Sequence, residues 1–441
     1  MKICRFIAFL TLLLFPQEGL YQKAAKAPKP FMGWSSWSLE AVRSPNYNGE
    51  DWLTAEHVKE QSDAMHRLLQ KYGYLYINLD SGWKGGYDAF GRPLPDRKKF
   101  PEGIAAIARY VHHYGQKLGI YYTVGIWGDL YQANPKILGT PYHLRDILVQ
   151  PPTPGNGWVN GTYKIDFSKP AAKAYIASIA QEFAEWGVDL LKLDGVTPGS
   201  DHNDLSIDNR AEVVAWAQAL QQTGRPIWLE LSWNLDPHYA DFWQRYANGW
   251  RISDDIDRYG PTLTSWPQVK ARFEAAARWY QNAGPTKGWN DFDSLDIGNG
   301  AMDGLTDAER QTMMTLWAIE CSPLYTGDDL ARLDPYGLQL LTNAEVIAVD
   351  QAGHPAHPVR FGPQQVWAIH NPDGSFLVAL FNLDDHAPAA VTVAWWELGL
   401  TGPVKAHDLW SHRDLGIYNN CFTQTLAPHA CCLMRLIPQK N

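Results

Sequence analysis

The stretch YLYINLDSGW, residues 74–83, decides the fold. Its apolar and aromatic side chains are typical of a buried strand, but the run ends in the carboxylate Asp80, followed by Ser81 and Gly82. Burying a carboxylate costs free energy unless the group is paired or hydrogen-bonded. Functional groups of parallel α/β folds collect at the carboxyl ends of strands. The stretch therefore predicts a buried strand whose C-terminal end opens into a site.

Seven further runs share this buried-strand character, at residues 31–37, 118–125, 189–194, 226–233, 249–254, 287–291 and 321–326. Between them lie segments such as 54–72, 170–186 and 209–222, in which apolar residues recur every three or four positions, as in amphipathic helices. Eight such units over about 320 residues predict a (β/α)8 TIM barrel. A doubly wound open sheet is the alternative, but no glycine-rich phosphate fingerprint follows the first strand.

The pattern changes after about residue 355 of the 441. Short alternating runs separated by turn signals such as NPDG and NLDD predict a small antiparallel β-sandwich domain. We therefore expect a catalytic barrel at residues 28–352 and a C-terminal β-sandwich domain at residues 353–441.

The N-terminus has the pattern of a secretory signal. Lys2 and Arg5 precede an apolar run at residues 7–15, which is too short for a membrane-spanning helix of about 20 residues. Residues 1–27 are interpreted as a signal peptide with an open cleavage position, and a buried N-terminal helix is the weaker alternative. The sequence thus predicts an exported protein, periplasmic or extracellular, with no membrane association after signal removal.

Composition narrows the ligand class. The formal net charge of −9 disfavours a nucleic-acid partner, which selects basic surfaces. Twenty Trp and 21 Tyr favour a sugar ligand modestly, because aromatic faces stack on sugar rings but also fill cores. The five cysteines lack metal-ligand spacing and the strand ends carry no histidine, so we expect no metal and no cofactor. Cys421 could pair with Cys431 or Cys432, which spacing leaves open.

The predicted strand ends deliver a ring of carboxylates with aromatic and cationic neighbours: Trp34, Trp37, Asp80, Tyr121, Lys192, Asp194, Ser232, Trp233, Arg251, Asp254, Asp255, Asp291, Asp293, Asp328 and Asp329. A helix N-cap is the alternative role for any single aspartate. That alternative is weaker for Lys192 and Asp194, which lie two apart on one strand and so share a face. Glycoside hydrolysis needs two carboxylates across the scissile bond, and such a ring could supply them.

Nine motifs lie in order over about residues 31–438: MGWSSW (32–37), YINLDSGW (76–83), LGIYYTVG (118–125), LLKLDG (190–195), WRISDDI (250–256), GWNDFDSLDIGNG (288–300), GLTDAERQTMMTLWAIECSPLYTGDDL (304–330), LLTNAEVIAVDQ (340–351) and LAPHACCLMRL (426–436). Their resemblance is to glycoside hydrolase family 27, which includes α-galactosidases and α-N-acetylgalactosaminidases. It implies a retaining, exo-acting α-glycosidase, by default an α-galactosidase that cleaves oligo- or polysaccharides.

The resemblance also assigns roles. It implies that Asp194 is the nucleophile and Asp255 the acid/base, and that Lys192 favours the ionised form of Asp194. Asp254, if it lay on the strand, would face away from Asp255. The implied substrate-binding residues are Trp37, Asp80, Ser81, Tyr121, Lys192, Ser232, Trp233, Arg251 and Asp293.

Two departures from the family pattern concern the glycone. Relatives carry a second acid where this chain has Ser81, and the paired acids grip the 4- and 6-hydroxyls. Ser232 replaces a glutamate and resembles the N-acetylgalactosaminidase version. The alternatives are therefore an α-N-acetylgalactosaminidase or an isomalto-dextranase acting on α-1,6-glucans, and the family also includes β-L-arabinopyranosidases. A carbohydrate-binding protein with weak catalysis is the alternative of another class, and the oligomeric state stays open.

Overall fold

The computed structural model describes residues 27–439, so the predicted signal peptide lies outside the described residues except for Ala27. Eight parallel strands form the N-terminal sheet: β1 (Met32–Ser35), β2 (Tyr76–Leu79), β3 (Lys117–Thr123), β4 (Leu190–Asp194), β5 (Trp228–Leu231), β6 (Gly249–Arg251), β7 (Trp289–Asp291) and β8 (Leu324–Thr326). They pair in the order β7-β6-β5-β4-β3-β2-β1-β8. A parallel bridge between Leu295 and Thr326 brings the two ends together and closes the barrel.

Eleven α-helices lie in the described residues: α1 (Trp37–Ala41), α2 (Ala55–Leu68), α3 (Ile104–His113), α4 (Gly128–Ala133), α5 (Pro170–Trp186), α6 (Arg210–Gln222), α7 (Ala240–Tyr246), α8 (Trp266–Trp279), α9 (Asp307–Ile319), α10 (Pro335–Leu341) and α11 (Ala344–Gln351). Local chemistry sets several ends. Pro170 begins α5 and the left-handed Gly187 ends it, while Thr306 and Glu309 form a capping box on α9. No helix of residues 27–439 is long and apolar enough to cross a membrane.

The (β/α)8 barrel prediction is confirmed, and all eight strands are present but shorter than expected. The predicted segment 249–254, for example, ends as a strand at Arg251. The predicted helix at 54–72 is α2, which gives way to a short 3₁₀ turn at Gln70–Tyr72. Five strands end earlier than predicted because the residues that follow them turn into the loops at the barrel mouth, whereas β4, β7 and β8 end as predicted but begin later.

The C-terminal domain is an antiparallel β-sandwich, as predicted. Its strands are β9 (His357–Arg360), β10 (Gln364–His370), β11 (Phe376–Asn382), β12 (Ala389–Ala394), β13 (Val404–Asp408), β14 (Arg413–Tyr418), β15 (Cys421–Leu426) and β16 (Cys431–Pro438). A six-stranded sheet in the order β9-β10-β11-β16-β13-β14 accompanies the β12-β15 pair. The thiols of Cys421, Cys431 and Cys432 are free.

The sandwich packs on the outer helices of the barrel and leaves the mouth open. The ring of Phe381 on β11 lies 4.9 Å from that of Phe273 on α8, and Thr312 on α9 donates to the carbonyl of His429 at 2.6 Å. Buried apolar residues from both domains join one continuous core. The second domain therefore supports the barrel from the side, away from the strand ends.

Candidate active site

A pocket of about 510 Å³ lies at the carboxyl ends of the barrel strands, and we call it the barrel pocket. Its lining is mostly acidic and aromatic: Trp37, Asp80, Ser81, Tyr121, Trp158, Lys192, Asp194, Asp201, Trp233, Asp254, Asp255, Asp257, Arg258, Tyr259 and Gln268. Eight of the eleven predicted site residues are among them. The other three, Ser232, Arg251 and Asp293, lie beneath the surface with at most 4% exposure.

Asp80 and Lys192 form one wall of the barrel pocket. The Lys192 Nζ and Asp80 Oδ2 atoms are 2.7 Å apart, and the Ser81 N–H donates to Asp80 Oδ1 at 2.9 Å. Burial lowers the pKa of Lys192, but the charges of Asp80 and Asp194 outweigh it and raise the pKa overall. The wall thus presents a charged donor beside a carboxylate acceptor, which suits sugar hydroxyls.

Asp194 ends β4 and is 7% exposed. Burial raises the pKa of its carboxyl, Lys192 lowers it, and the charges of Asp255 and Asp80 raise it again, so the pKa lies above its ordinary value. Lys192 therefore acts in the expected direction, but burial outweighs it. The next residue, Gly195, has a φ of +76°, and a Cβ there would lie 2.4 Å from the Trp158 ring, so only glycine lets this ring approach the carboxylate.

Asp255 has the opposite electrostatic environment. Arg251 Nη2 lies 3.0 Å from its Oδ1, and the Tyr259 hydroxyl donates to Oδ2. Burial raises the pKa of Asp255, but the charges of Arg251 and Lys192 together with the Tyr259 hydrogen bond lower it below its ordinary value. The two carboxyls thus sit in one pocket with pKa values shifted in opposite directions.

Arg251 and Asp293 support Asp255 from below. The second contact of Arg251 is to Asp293 Oδ2 at 2.6 Å, and the same oxygen accepts from the Ile256 N–H at 2.9 Å. Asp293 therefore fixes both the guanidinium and the backbone that follows Asp255. These residues orient the carboxylate without lining the barrel pocket.

The expectation that Asp254 faces away from Asp255 required both residues to lie on a strand, and neither does. Strand β6 ends at Arg251, so the alternation of side chains along a strand does not extend to residues 254 and 255. Both residues line the barrel pocket. Asp254 is the more exposed of the two, and its backbone carbonyl accepts from Arg251 at 2.8 Å.

Six pocket residues escaped sequence reasoning: Trp158, Asp201, Asp257, Arg258, Tyr259 and Gln268. Gln268 lies in the first turn of α8, and the other five come from loops between barrel strands, where no periodic pattern marks a functional position. Trp37 Nε1 donates to the Tyr259 hydroxyl at 3.3 Å, which links the first and sixth loops across the mouth. The only available signal for Tyr259 was its position four residues after Asp255.

The strand order fixes how a bound ring must lie. In a closed ring of eight strands, β2 and β6 are opposite, so Asp80 and Ser81 face Asp255 across the barrel pocket, with Asp194 between them on β4. A sugar held by Asp80 and Lys192 would present its far side to the two carboxylates. In residues 27–439 no group of three or more His, Cys, Asp or Glu side chains is placed to hold a metal ion.

Two family models match most of this chain. The family model described as Alpha galactosidase A matches residues 29–130 and 162–352, and the model described as Alpha galactosidase C-terminal beta sandwich domain matches residues 361–436. The α-galactosidase of Cyamopsis tetragonoloba is 31% identical over 419 residues, covering 93% of this chain and 86% of that protein. The α-galactosidase of Coffea arabica is 32% identical, covering 93% and 94%.

Among solved structures, the GH27 β-L-arabinopyranosidase of Geobacillus stearothermophilus superposes with a TM-score of 0.83 at 31% identity, covering 93% of this chain and 97% of that one. Both domains are thus matched over nearly their whole length. The chain belongs to glycoside hydrolase family 27, the α-galactosidase family, and is a glycosidase of the α-galactosidase type.

Proposed function

We propose that the protein is a retaining, exo-acting glycosidase that cleaves terminal α-D-galactosyl residues by double displacement. The observation that carries this proposal is the placement of Asp194 and Asp255 in one pocket, close enough for the charge of Asp255 to raise the pKa of Asp194. Asp194 attacks the anomeric carbon while Asp255 protonates the leaving oxygen. Water then hydrolyses the glycosyl-enzyme with Asp255 as base. Retention requires a carboxyl separation of roughly 5–5.5 Å.

The shape of the barrel pocket supports exo action. Beneath the two carboxylates lies a packed polar layer in which the Tyr325 hydroxyl oxygen lies 3.1 Å from an Asp291 oxygen and 3.0 Å from an Asp293 oxygen. This layer closes the pocket below, so a sugar can enter only from the mouth, as a terminal residue would. Asp80 and Lys192 then bind the glycone hydroxyls far from the scissile bond, and Trp37 and Trp233 offer aromatic faces.

The position of Ser232 bears on the choice of glycone. Its side chain is 1% exposed and does not line the barrel pocket, so it opens no space for an acetamide group. This favours an α-galactoside over an α-N-acetylgalactosaminide. Ser81 does line the pocket, and it is the position at which the glycone preference would differ from that of relatives with two acids.

Two assays with p-nitrophenyl α-D-galactoside test the proposal. The Asp194→Asn variant should lose about 10⁴-fold or more in kcat while still binding galactose, because the nucleophile is gone but the hydroxyl contacts remain. Asp208→Asn is the matched control, since Asp208 pairs with Arg210 at 2.8 Å outside the pocket. Full activity of Asp194→Asn would overturn the nucleophile assignment.

Product stereochemistry and a substrate panel complete the test. Proton NMR of the first product should show the α-anomer, and the β-anomer would contradict retention. The panel adds α-N-acetylgalactosaminide and β-L-arabinopyranoside substrates and dextran. Isomaltose release from dextran without α-galactoside hydrolysis would overturn the galactose assignment, and binding without any turnover would favour a carbohydrate-binding protein.

We also propose that the protein is exported. The basic residues Lys2 and Arg5 and the apolar run at residues 7–15 support this, although they lie outside the described residues. Full-length protein should lose its N-terminal segment and leave the cytoplasm of a secreting host, whereas protein beginning at residue 28 should stay inside. Retention of an intact N-terminus would contradict export.

A further inference from the structure

Glu212 is a buried carboxyl that the double-displacement scheme does not use. It lies in the first turn of α6, one of the helices around the barrel, and is 3% exposed. It lines no part of the barrel pocket. Burying a carboxyl costs free energy unless its oxygens are hydrogen-bonded, so the partners of Glu212 indicate what it does.

The partner of Glu212 is a backbone N–H at the mouth of the barrel. Both of its oxygens accept from the Gly125 N–H, at 3.0 Å for Oε1 and 3.1 Å for Oε2. Gly125 lies two residues beyond Thr123, the last residue of β3, and has a φ of +74°. A Cβ there would lie 2.7 Å from the carbonyl oxygen of Gly155, so the close approach of these two loops requires glycine. Glu212 therefore fixes the chain at the point where it leaves the third strand.

The residue before Gly125 contacts the backbone of the proposed nucleophile. The Val124 N–H donates to the carbonyl of Asp194 at 3.0 Å. The next N–H along that chain, from Gly195, donates to Asp194 Oδ1 at 2.9 Å. The peptide that carries the nucleophile and the direction of its carboxylate thus depend on where the 124–125 segment lies.

The same segment holds the aromatic wall beside the nucleophile. Asn156 Nδ2 donates to the carbonyl of Val124 at 3.0 Å, and Asn156 Oδ1 accepts from the Trp158 N–H at 3.1 Å. The Trp158 ring in turn packs on Gly195. The hydrogen bond from the 124–125 segment to Glu212 therefore supports two neighbouring parts of the barrel pocket at once.

The protonation state of Glu212 suits this role. Burial raises the pKa of its carboxyl to about 8. Smaller influences lower the pKa without cancelling this shift, and they come from Gly125, Trp216, Asn209 and Lys164. Glu212 is therefore protonated at neutral pH. Glutamine is neutral, has nearly the same shape and can accept from the Gly125 N–H, whereas alanine offers no acceptor.

We propose that Glu212 is a positioning residue that holds the Asp194 peptide through the 124–125 segment, without touching the substrate. This inference rests on the proposed function of Asp194 as the nucleophile. A nucleophile must meet the anomeric carbon at a narrow range of distance and direction, and a misplacement of about 1 Å can cost on the order of 100-fold in rate. Asp80 and Trp37, which bind the glycone in the proposed scheme, follow other strands, so the loss should fall on kcat rather than on KM.

Two substitutions at position 212 test the proposal. Glu212→Ala removes the acceptor for the Gly125 N–H, so kcat should fall about 10–100-fold while KM changes less than about threefold. Glu212→Gln keeps an acceptor and should restore kcat to within about threefold of the wild-type value. An unchanged kcat in Glu212→Ala, a loss confined to KM, or a glutamine variant as slow as the alanine variant would overturn the proposal.

Glu182→Ala is the matched control, because it removes another buried acid from a neighbouring helix. Glu182 lies on α5, is 8% exposed and has a pKa that burial raises to about 7, but it does not line the barrel pocket. This variant should lower the urea midpoint and leave the kcat of the folded protein unchanged. An equal fall of kcat in both alanine variants would indicate general loosening and overturn the proposal. Glu212→Met, which fills the space without an acceptor, gives the same readout if Glu212→Ala does not fold.

A double variant tests whether the effect passes through the 124–125 segment. Asn156→Ala frees the same segment from its other side, so its loss in kcat and that of Glu212→Ala should combine to less than their product. A combined loss equal to the product would place the effect of Glu212 elsewhere and overturn the proposal. Rates are measured on the panel glycoside that the wild type cleaves fastest, so another glycone preference would overturn only the galactose assignment. Full activity of Asp194→Asn would overturn the nucleophile assignment and this inference together.

Discussion

Removing the Tyr259 hydroxyl should make the enzyme tolerate higher pH. This hydroxyl donates to Asp255 Oδ2 and contributes to the lowered pKa of that carboxyl. Hydrogen bonds to charged groups contribute roughly 1.5–3 kcal/mol, and about 1 kcal/mol remains after allowing for the 41% exposure of Tyr259. A pKa shift of one unit corresponds to about 1.36 kcal/mol, so Tyr259→Phe should raise the pKa of Asp255 by about 0.5–1 unit.

The direction of the change in activity follows from the proposed role. Asp255 must be protonated to act as the acid, so activity is lost as the pH rises through its pKa. A raised pKa therefore moves the basic limb of the kcat/KM profile to higher pH in Tyr259→Phe. The assay should use methyl α-D-galactoside, because a poor leaving group makes protonation by Asp255 necessary.

Tyr110→Phe is the matched control for this experiment. The hydroxyl of Tyr110 also donates to a carboxylate, that of Asp63 at 2.7 Å, but this pair lies on the outer surface of the barrel. That variant should leave both limbs of the profile in place. A basic limb that stays put or moves to lower pH in Tyr259→Phe would refute the assignment of Asp255 as the acid whose pKa Tyr259 lowers.

The same pH profile also bears on how the protonation states of Asp194 and Asp255 change between the free protein and the start of the reaction. In the free protein the pKa of Asp194 is raised and that of Asp255 is lowered, whereas double displacement begins with Asp194 ionised and Asp255 protonated. A leaving oxygen that binds Asp255 would displace the Tyr259 hydroxyl and remove one cause of the low pKa. The observed limbs will belong to the coupled pair rather than to either carboxyl alone.

Four further predictions follow from the same geometry. Asp255→Asn should lose about 10²–10⁴-fold in kcat/KM on methyl α-D-galactoside, and Asp254→Asn less than tenfold; equal losses would contradict the acid/base assignment. Lys192→Met should lower the free energy of unfolding by about 3–5 kcal/mol, because it leaves the buried Asp80 carboxylate unpaired. In urea titrations the double variant with Asp80→Asn should recover more than half of this loss. EDTA should leave activity unchanged, and a loss would indicate a metal. Ser81→Asp should lower stability through repulsion between the new carboxylate and Glu50, and adding Glu50→Gln should restore it. An unaltered urea midpoint in Ser81→Asp would argue against this repulsion.

Much of the barrel could be predicted from the sequence, because buried parallel strands appear in it as short apolar runs. The run at 74–83 combines a buried strand with a terminal acid, and the structure places Ile77 and Leu79 in the core and Asp80 at the mouth. Strand ends were less predictable, since the last residues of segments such as 249–254 leave the sheet. Whether Asp254 and Asp255 share a face depends on that end, which local pattern does not encode.

The candidate site was predictable where strands deliver it and not where loops do. Lys192 and Asp194 lie on β4 and reach the pocket by simple alternation. Tyr259 and Trp158 reach it through loops whose course depends on long-range packing. The opposite pKa shifts of the two carboxyls were also beyond sequence reasoning, because burial, which no spacing reports, is the largest influence on each.

Ser81 shows how one substitution is tied to its surroundings. The buried Glu40 already has a pKa well above its ordinary value, chiefly through burial, with the charges of Asp80 and Glu50 adding to the shift. A carboxylate at position 81 would add another like charge to this cluster, whereas the serine donates to Glu50 instead. The absence of an acid at position 81 and the presence of Glu50 beside it are therefore coupled. Restoring the acid at position 81 alone would therefore not recreate a site with two acids, because the new carboxylate would lie beside the carboxylate of Glu50 and the two charges would repel.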